Sequence, residues 1–234
     1  AVANGEALFD AITFGIRMLL DFLEIVFVKT PWFVIICFIV LLTGLSAGGR
    51  TAIISASFLA YIGLLGFWEK AMTTLALLGT AACLSILIGI PLGMYCARRD
   101  RFYSVIRPIL DFMQTMPAFV FMIPVIAFFG TGKPAAVVTT MIFGGTPVVR
   151  LTVLGLRGVP ENVREAAISY GASKWYLLTK VDLPLAAPSI RAGVNQTIML
   201  SLAMVVVASL IGAKGLGEDV LEALQYANVG QGIL

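Results

Sequence analysis

An all-α, polytopic transmembrane helical bundle is the fold class this sequence predicts, on three observations. Hydrophobic residues make up 59% of the 234 and charged residues only 12%, against roughly 45–50% and 25% in soluble domains. Six apolar runs reach or approach the length of about 20 residues that a crossing helix needs. A single long polar loop, residues 157–184, interrupts them. A chain of this length has room for one bundle and no added soluble domain.

The first segment, residues 1–30, reads as an amphipathic helix. At 100° per residue, Glu6, Asp10, Arg17, Asp21 and Glu24 fall within an arc of about 60°, while Phe9, Ile12, Ile16, Leu19, Leu20, Leu23 and Phe27 cover much of the rest. A narrow charged stripe suits a helix lying in the membrane interface or against the bundle. A first span whose stripe faces protein is the competing reading. Ala1 to Glu6 carry no basic residue and do not resemble the n-region of a cleavable signal peptide.

Residues 31–68 read as a transmembrane hairpin. A short run from Trp32 to Leu45 meets a Gly48-Gly49-Arg50 turn and returns from Thr51 to Trp68. Residues 69–234 form the core. Ala71 to Ala97 is long enough to cross outright. Pro108 to Gly130 carries Pro117 and Pro124, which predict kinks, and Ala135 to Leu156 carries Gly144, Gly145 and Pro147, which predict a break. The sixth run extends from Ala187 to Gly212, followed by an amphipathic stretch with Glu218, Asp219 and Glu222. Gly230 to Leu234 read as the entrance to a further span, so the natural chain is expected to continue. Gly89 and Gly93 form a small-xxx-small pair that favours close helix packing.

The loop has its own local logic. Pro160 suits the first position of a helix, with Glu161 and Glu165 near the positive end of its dipole. Gly171 is the natural stop, and Ser173 can cap a second helix expected to end near Pro184. Ala167 and Gly171 lie one turn apart, so their shared face has little bulk and another protein's backbone can approach closely. The loop therefore predicts a two-helix elbow with a docking surface.

Those residues carry a family resemblance. Glu165-Ala166-Ala167, three residues, Gly171, nine residues, then Val181-Asp182-Leu183-Pro184 resembles the Glu-Ala-Ala loop of membrane subunits of bacterial ATP-binding-cassette importers. Val181 stands where the family pattern has Ile. The match covers some 20 positions and is specific in spacing. The resemblance implies that this loop is the cytoplasmic coupling helix, docked in a groove of the ATPase subunit. On that basis Glu161, Arg164, Glu165, Ala166, Ala167, Gly171 and Pro184 are the expected coupling residues.

The likeness narrows further along the chain. Pro108 to Phe119, Gly193 to Val206 and Gly215-Leu216-Gly217 look like the permease subunit of glycine betaine/proline betaine importers. It runs from about Trp68 onward, while the N-terminal third matches only in general plan. The resemblance implies a multi-pass protein of the bacterial inner membrane with its coupling loop in the cytoplasm. It implies as partners a second copy of this chain, two copies of a cytoplasmic ATPase, an extracytoplasmic substrate-binding protein and membrane lipid. The cargo expected is a quaternary or trimethylated amine: glycine betaine, proline betaine, choline or trimethylamine N-oxide. Recognition of that cargo is expected mainly on the binding protein, through an aromatic cage.

Charge supports the orientation independently of the motif. With the elbow inside, Arg50, Arg98, Arg99, Arg101, Arg107, Arg150, Arg157, Arg164, Lys174, Lys180 and Arg191 fall on the cytoplasmic side, leaving Arg17, Lys29, Lys70, Lys133 and Lys214 for the other. The net charge of +3 is thus a topology signal and not a nucleic-acid footprint.

Polar residues within the runs admit two readings. Asp111, in what reads as the first turn after Pro108, is accounted for by the helix dipole and an i,i+4 pair with Arg107. As an intramembrane acid it is also a candidate for the transport path. Gln114, Thr115, Asn195 and Gln196 either bond between helices or, with Asp111 and Met199, line that path.

Other chemistries find little support. The 234 residues contain no Gly-x-x-x-x-Gly-Lys-Ser/Thr loop, so ATP and Mg are expected on a partner ATPase and no cofactor on this chain. Cys37, Cys83 and Cys96 fall in apolar runs without metal spacing and read as small core hydrophobes. Histidine is absent, which weakens proton-driven and metal mechanisms. An ion-coupled secondary amine transporter would usually show internal repeats, and none is evident. A membrane-embedded enzyme would need catalytic groups clustered at bilayer depth.

Overall fold

The computed structural model describes residues 2–226, with side chains from residue 9 onward. Every regular element among them is helical, which agrees with the predicted class. Trp68–Arg98 and the nearly continuous Lys133–Arg157 are long and apolar enough to cross a membrane. Counting each sharply bent helix pair as one broken span raises the number to four. The chain divides into two compact units: Ala1–Thr80 with Met122–Val137 and Val205–Leu234, and Ala81–Phe121 with Val138–Met204.

In the first unit, α1 (Val2–Glu24) widens into a π-helical turn at Ile25–Lys29, and the chain then bends by 100° into α2 (Trp32–Ala47). Helix α1 presents three faces. Ile16 and Leu20 are buried, Asp10, Arg17 and Asp21 are exposed, and Phe14, Met18 and Phe22 form a separate exposed apolar strip. Such a helix suits a boundary between protein, water and lipid. Glu6, the first member of the charged stripe, precedes the described side chains.

Helix α2 turns at Gly48 into α3 (Gly49–Leu64), and a Cβ on Gly44 would sit 3.5 Å from that of Ala52. Each of the two helices has 16 residues, or about 24 Å of rise, short of a hydrocarbon core of about 30 Å. Trp68, expected at the end of the hairpin, instead opens α4 (Trp68–Arg98), because Gly66 at φ +81° has already turned the chain. Ile35, Ala71 and Met72 form one buried cluster of the unit, with Phe27, Ile39, Ile62 and Trp68 around them. Two ion pairs brace this unit: Lys133 with Glu24, and Lys70 with Asp219 of α13 (Leu216–Gln225).

The second unit is built on the pairing of α8 (Thr146–Arg157) with α11 (Leu183–Ala203). Close approach is possible because glycines sit at the crossing. A Cβ at Gly155 would meet that of Ser189 at 2.8 Å, and one at Gly193 would meet the Val148 Cα at 3.1 Å. A Cβ on Gly93 of α4 would likewise meet the Thr152 side chain at 2.7 Å. Small residues serve this purpose where helices pack without a hydrophobic driving force. Leu110, Val148 and Val149 are the buried centre, with Ile90, Ile106, Met113 and Val194 packed around them.

Several expected boundaries move. Helix α5 spans Asp100–Thr115, so Pro108 lies inside it and does not start it; the preceding Arg99 is extended and forms the true boundary. The chain breaks at Met116 and Pro117 before α6 (Ala118–Phe129), where Pro124 is held within the helix. The break expected at Gly144 and Gly145 is nearly absent. Between α7 (Lys133–Gly144) and α8, Gly145 keeps right-handed geometry at φ −80°, ψ −16°, and its N–H donates to the Met141 carbonyl at 2.9 Å. Pro147 sits in the first turn of α8, where a missing N–H costs nothing.

The sixth run starts earlier than hydropathy indicates, at Leu183, and is interrupted at Met204 before α12 (Val205–Leu210). Of the cysteines only Cys96 is buried. Cys37 lies on the outward apolar face of α2 with Phe33 and Leu41, and Cys83 is also exposed. The further span expected after Gly230 concerns residues outside those described.

Candidate functional site

The polar loop folds as a compact elbow. Pro160, at ψ 137°, caps α9 (Glu161–Ser169) from outside and is not its first helical residue. At the other end Gly171 takes φ +82°. Its N–H donates to the Ile168 carbonyl at 2.8 Å, and the Ala172 N–H donates to the Ala167 carbonyl at 3.0 Å. These two bonds make a Schellman closure, for which a left-handed glycine is the favoured residue. Ser173 then accepts the Tyr176 N–H at 3.2 Å and caps α10 (Lys174–Tyr176).

From there the helix does not end near Pro184. It continues through a π-helical segment, Leu177–Asp182, directly into α11. The Leu183 N–H reaches back five residues to the Leu178 carbonyl, and this wide turn accommodates a proline in the next position. The second arm of the elbow is therefore continuous with a membrane-length helix.

Arg164 ties the elbow together. Its Nε donates to Oδ1 of Asp182 at 2.8 Å, and a terminal nitrogen donates to the Leu156 carbonyl at 2.6 Å. The Asp182 side chain is only 8% exposed and that of Arg164 32%. A buried carboxylate needs such a partner, since an uncompensated one costs several kcal/mol. One guanidinium thus fixes α9 to the end of α8 and to the segment that feeds α11. Arg164 faces inward, in contrast to its expected place on the docking surface. Behind it Arg98, Arg157, Arg164 and Lys174 line a cleft of about 350 Å³.

The outward face is different in kind. Glu161, Glu165, Ala166, Gly171 and Pro184 are exposed and Ala167 is half-buried. A Cβ on Gly171 would meet nothing within 4 Å. Around them Ile168, Tyr170, Trp175 and Tyr176 are exposed, Tyr170 at 94% and Trp175 at 73%. Composition alone concealed this cluster, because the aromatics flank the glycine and do not belong to the Glu-Ala-Ala pattern. Exposed aromatics beside small residues are the make-up of an interface core.

The candidate path residues occupy two places. On α5, Asp111, Gln114 and Thr115 are exposed and share an arc of about 100° that also holds Ser104 and Arg107. Leu110, Ile106 and Met113, on the remaining circumference, pack against α8. On α11, Asn195, Gln196 and Met199 are exposed, while Thr197 is buried. No hydrogen bond or ion pair joins the two groups among the described residues.

Asp111 is paired differently from the expectation. Its partner is Arg150 of α8, not Arg107. Because α5 begins at Asp100, Asp111 lies in its fourth turn, beyond the reach of the N-terminal dipole. Arg150 was counted among the cytoplasmic end residues, yet it lies seven residues before Arg157, about 10 Å further along the axis. A charged side chain at bilayer depth costs about 2.5–3.5 kcal/mol when it faces lipid. A polar stripe along α5 is therefore a surface for protein or water. Among the described residues no group of three or more His, Cys, Asp or Glu forms a metal site.

Comparison with known proteins bears on the family and the fold. Residues 89–233 match the family profile of the binding-protein-dependent transport system inner membrane component. The glycine betaine/proline betaine transport system permease protein ProW of Escherichia coli is 51% identical over 169 residues, 72% of this chain and 48% of that protein. The glycine betaine/carnitine transport permease protein GbuB of Listeria monocytogenes is 41% identical over 233 residues, 98% of this chain and 83% of the relative. The trimethylamine N-oxide transport system permease protein TmoV of Pelagibacter ubique is 40% identical over 200 residues, 86% of this chain and 28% of the relative. The chain thus spans about half the length of the E. coli relative. Among solved structures, an inward-facing MetNI methionine ABC transporter shares the fold with TM-score 0.59 at 22% identity, covering 70% of this chain and 81% of that one.

Proposed function

From the premise that the chain belongs to the binding-protein-dependent transport system inner membrane component family, we propose that it is the transmembrane subunit of an ATP-driven importer for a quaternary or trimethylated amine. The relatives' names cover glycine betaine, proline betaine, carnitine and trimethylamine N-oxide, and choline fits the same chemistry. The observation that carries the mechanism is the elbow. Its outward face is small and aromatic, and its inward face is locked by Arg164 and Asp182 to α8 and α11.

In the proposed cycle, two copies of this chain form the path and each elbow sits in a groove of one cytoplasmic ATPase, which holds ATP and Mg. An extracytoplasmic binding protein delivers the amine. Closure of the ATPase pair on ATP moves the elbows, and the continuous α10–α11 arm carries that displacement into the membrane. Release of hydrolysis products reverses it. The drive is the difference in contacts between the two states, since a partner binding both equally shifts neither. The inner-membrane setting follows the family profile, and the orientation with the elbow inside is supported by the basic-residue asymmetry, ten against five once Arg150 is set aside.

The test is site-specific crosslinking. With exposed Cys37 and Cys83 replaced by serine, a cysteine at Ala166 or Gly171 is expected to crosslink to the ATPase chain, and one at Phe58 of α3 is not. Equal crosslinking at both places, or none at the elbow, refutes the docking assignment.

A further inference from the structure

Helix α5 carries its polar stripe over its whole length and meets α8 in two ion pairs, Asp100 with Arg157 and Asp111 with Arg150, of which the second is incompletely used. Arg150 donates to Oδ1 of Asp111 through a terminal nitrogen, while its Nε is buried without a partner. The Asp111 side chain is 50% exposed and that of Arg150 32%. Among the described residues neither the second carboxylate oxygen nor the other guanidinium donors have a partner. Gln114 and Thr115 continue the same exposed face. An ion pair kept only to join α5 to α8 would be expected to close on itself. This one leaves both charges open on a surface that lipid cannot cover without cost.

Resting on the importer reading, we propose that Asp111 and Arg150 form a zwitterion site in the translocation path. The carboxylate of a betaine exchanges onto the Arg150 guanidinium, which offers several N–H donors in a planar fork. Its trimethylammonium group has no hydrogen-bond donor and is met by the Asp111 charge. In glycine betaine the two charges are separated by a single methylene, so one molecule spans the two ends of the pair. A bare cation such as choline satisfies Asp111 and leaves Arg150 unmatched. The pair therefore favours zwitterions, a filter additional to any recognition on the binding protein.

The experiment uses the whole complex in proteoliposomes, with ATPase, betaine-loaded binding protein and lumenal ATP, reading glycine betaine uptake. Arg150→Gln and Asp111→Asn are each expected to slow uptake by roughly 10-fold or more, the scale of a lost charge-assisted hydrogen bond. The double variant is expected to be slower still, because both ends of the site are gone. Arg150→Lys, which keeps charge without the fork, is expected to fall between. A double variant that recovers the native rate overturns the proposal, since a purely structural pair is best repaired by neutralising both partners. If either neutral variant fails to assemble, Asp111→Cys in a background lacking Cys37 and Cys83 decides. Trimethylammonium-ethyl methanethiosulfonate should label it, and betaine turnover should slow the labelling. A cysteine sealed from the reagent overturns the proposal. A native complex that moves no betaine with ATP instead sinks the importer reading, an outcome distinct from any variant result.

Discussion

Replacing Arg164 with methionine removes one side chain and breaks two bonds, to Asp182 Oδ1 at 2.8 Å and to the Leu156 carbonyl at 2.6 Å. The carboxylate left behind is 8% exposed, so it cannot rehydrate without local opening. Stranding one member of a buried pair costs about 3–5 kcal/mol. The lower end applies here, because Arg164 is 32% exposed and water already screens part of the interaction. A cost of about 3 kcal/mol raises the local opening equilibrium of the elbow by roughly a hundredfold. Asp182→Asn should be milder, since Arg164 can turn its charge to solvent, and the double variant should recover most of the loss. Hydrogen exchange of the 161–169 amides, read by mass spectrometry on the purified complex, measures this directly. Native-like protection in Arg164→Met would refute the strut. Equal deprotection in single and double variants would refute the stranded-charge reasoning.

Other expectations follow from the same geometry. Gly171→Val forces a β-branched residue into φ +82° with no internal clash. It should cost about 1–2 kcal/mol of local stability and uncouple ATP hydrolysis from uptake while leaving membrane insertion intact; retained coupling would count against the transmitting surface. Trp175→Ala removes a side chain that is 73% exposed and should weaken ATPase binding by roughly 30-fold, as for a central aromatic anchor, whereas unchanged affinity would place the interface elsewhere. Gly193→Leu drives a side chain into Val148 and Leu151, both about 3.1 Å from the first added carbon. It should destabilise the α8–α11 pairing by about 3 kcal/mol or more, seen as a fall in the thermal midpoint of the detergent-purified complex.

The fold class was legible because composition and run length are properties of the chain alone. The Gly171 stop was legible for a related reason: a helix end that needs a left-handed residue advertises it. Helix α5 was not. Hydropathy begins a span where the apolar run begins, at Pro108, and a helix with one polar face starts before that. Missing the start at Asp100 placed Asp111 in the wrong turn and gave it the wrong partner. Arg150 was sorted by charge and not by depth, so its ion pair with Asp111 escaped notice. Pro184 misled because a π-helical turn absorbs what a proline would break, and no local pattern announces one. The Arg164–Asp182 strut links residues 18 apart across a turn. The available signal was an acid, Asp182, set between Val181 and Leu183 where the loop gives way to the sixth run.

The most direct measurement is ATP hydrolysis by this chain co-purified with its ATPase in lipid, with and without binding protein loaded with glycine betaine, choline or trimethylamine N-oxide. The account expects stimulation by a loaded form, with betaine above choline if the Asp111–Arg150 pair sorts zwitterions. If no ATPase co-purifies, and the chain alone moves amine down an ion gradient, the elbow is not a coupling device and the account is wrong.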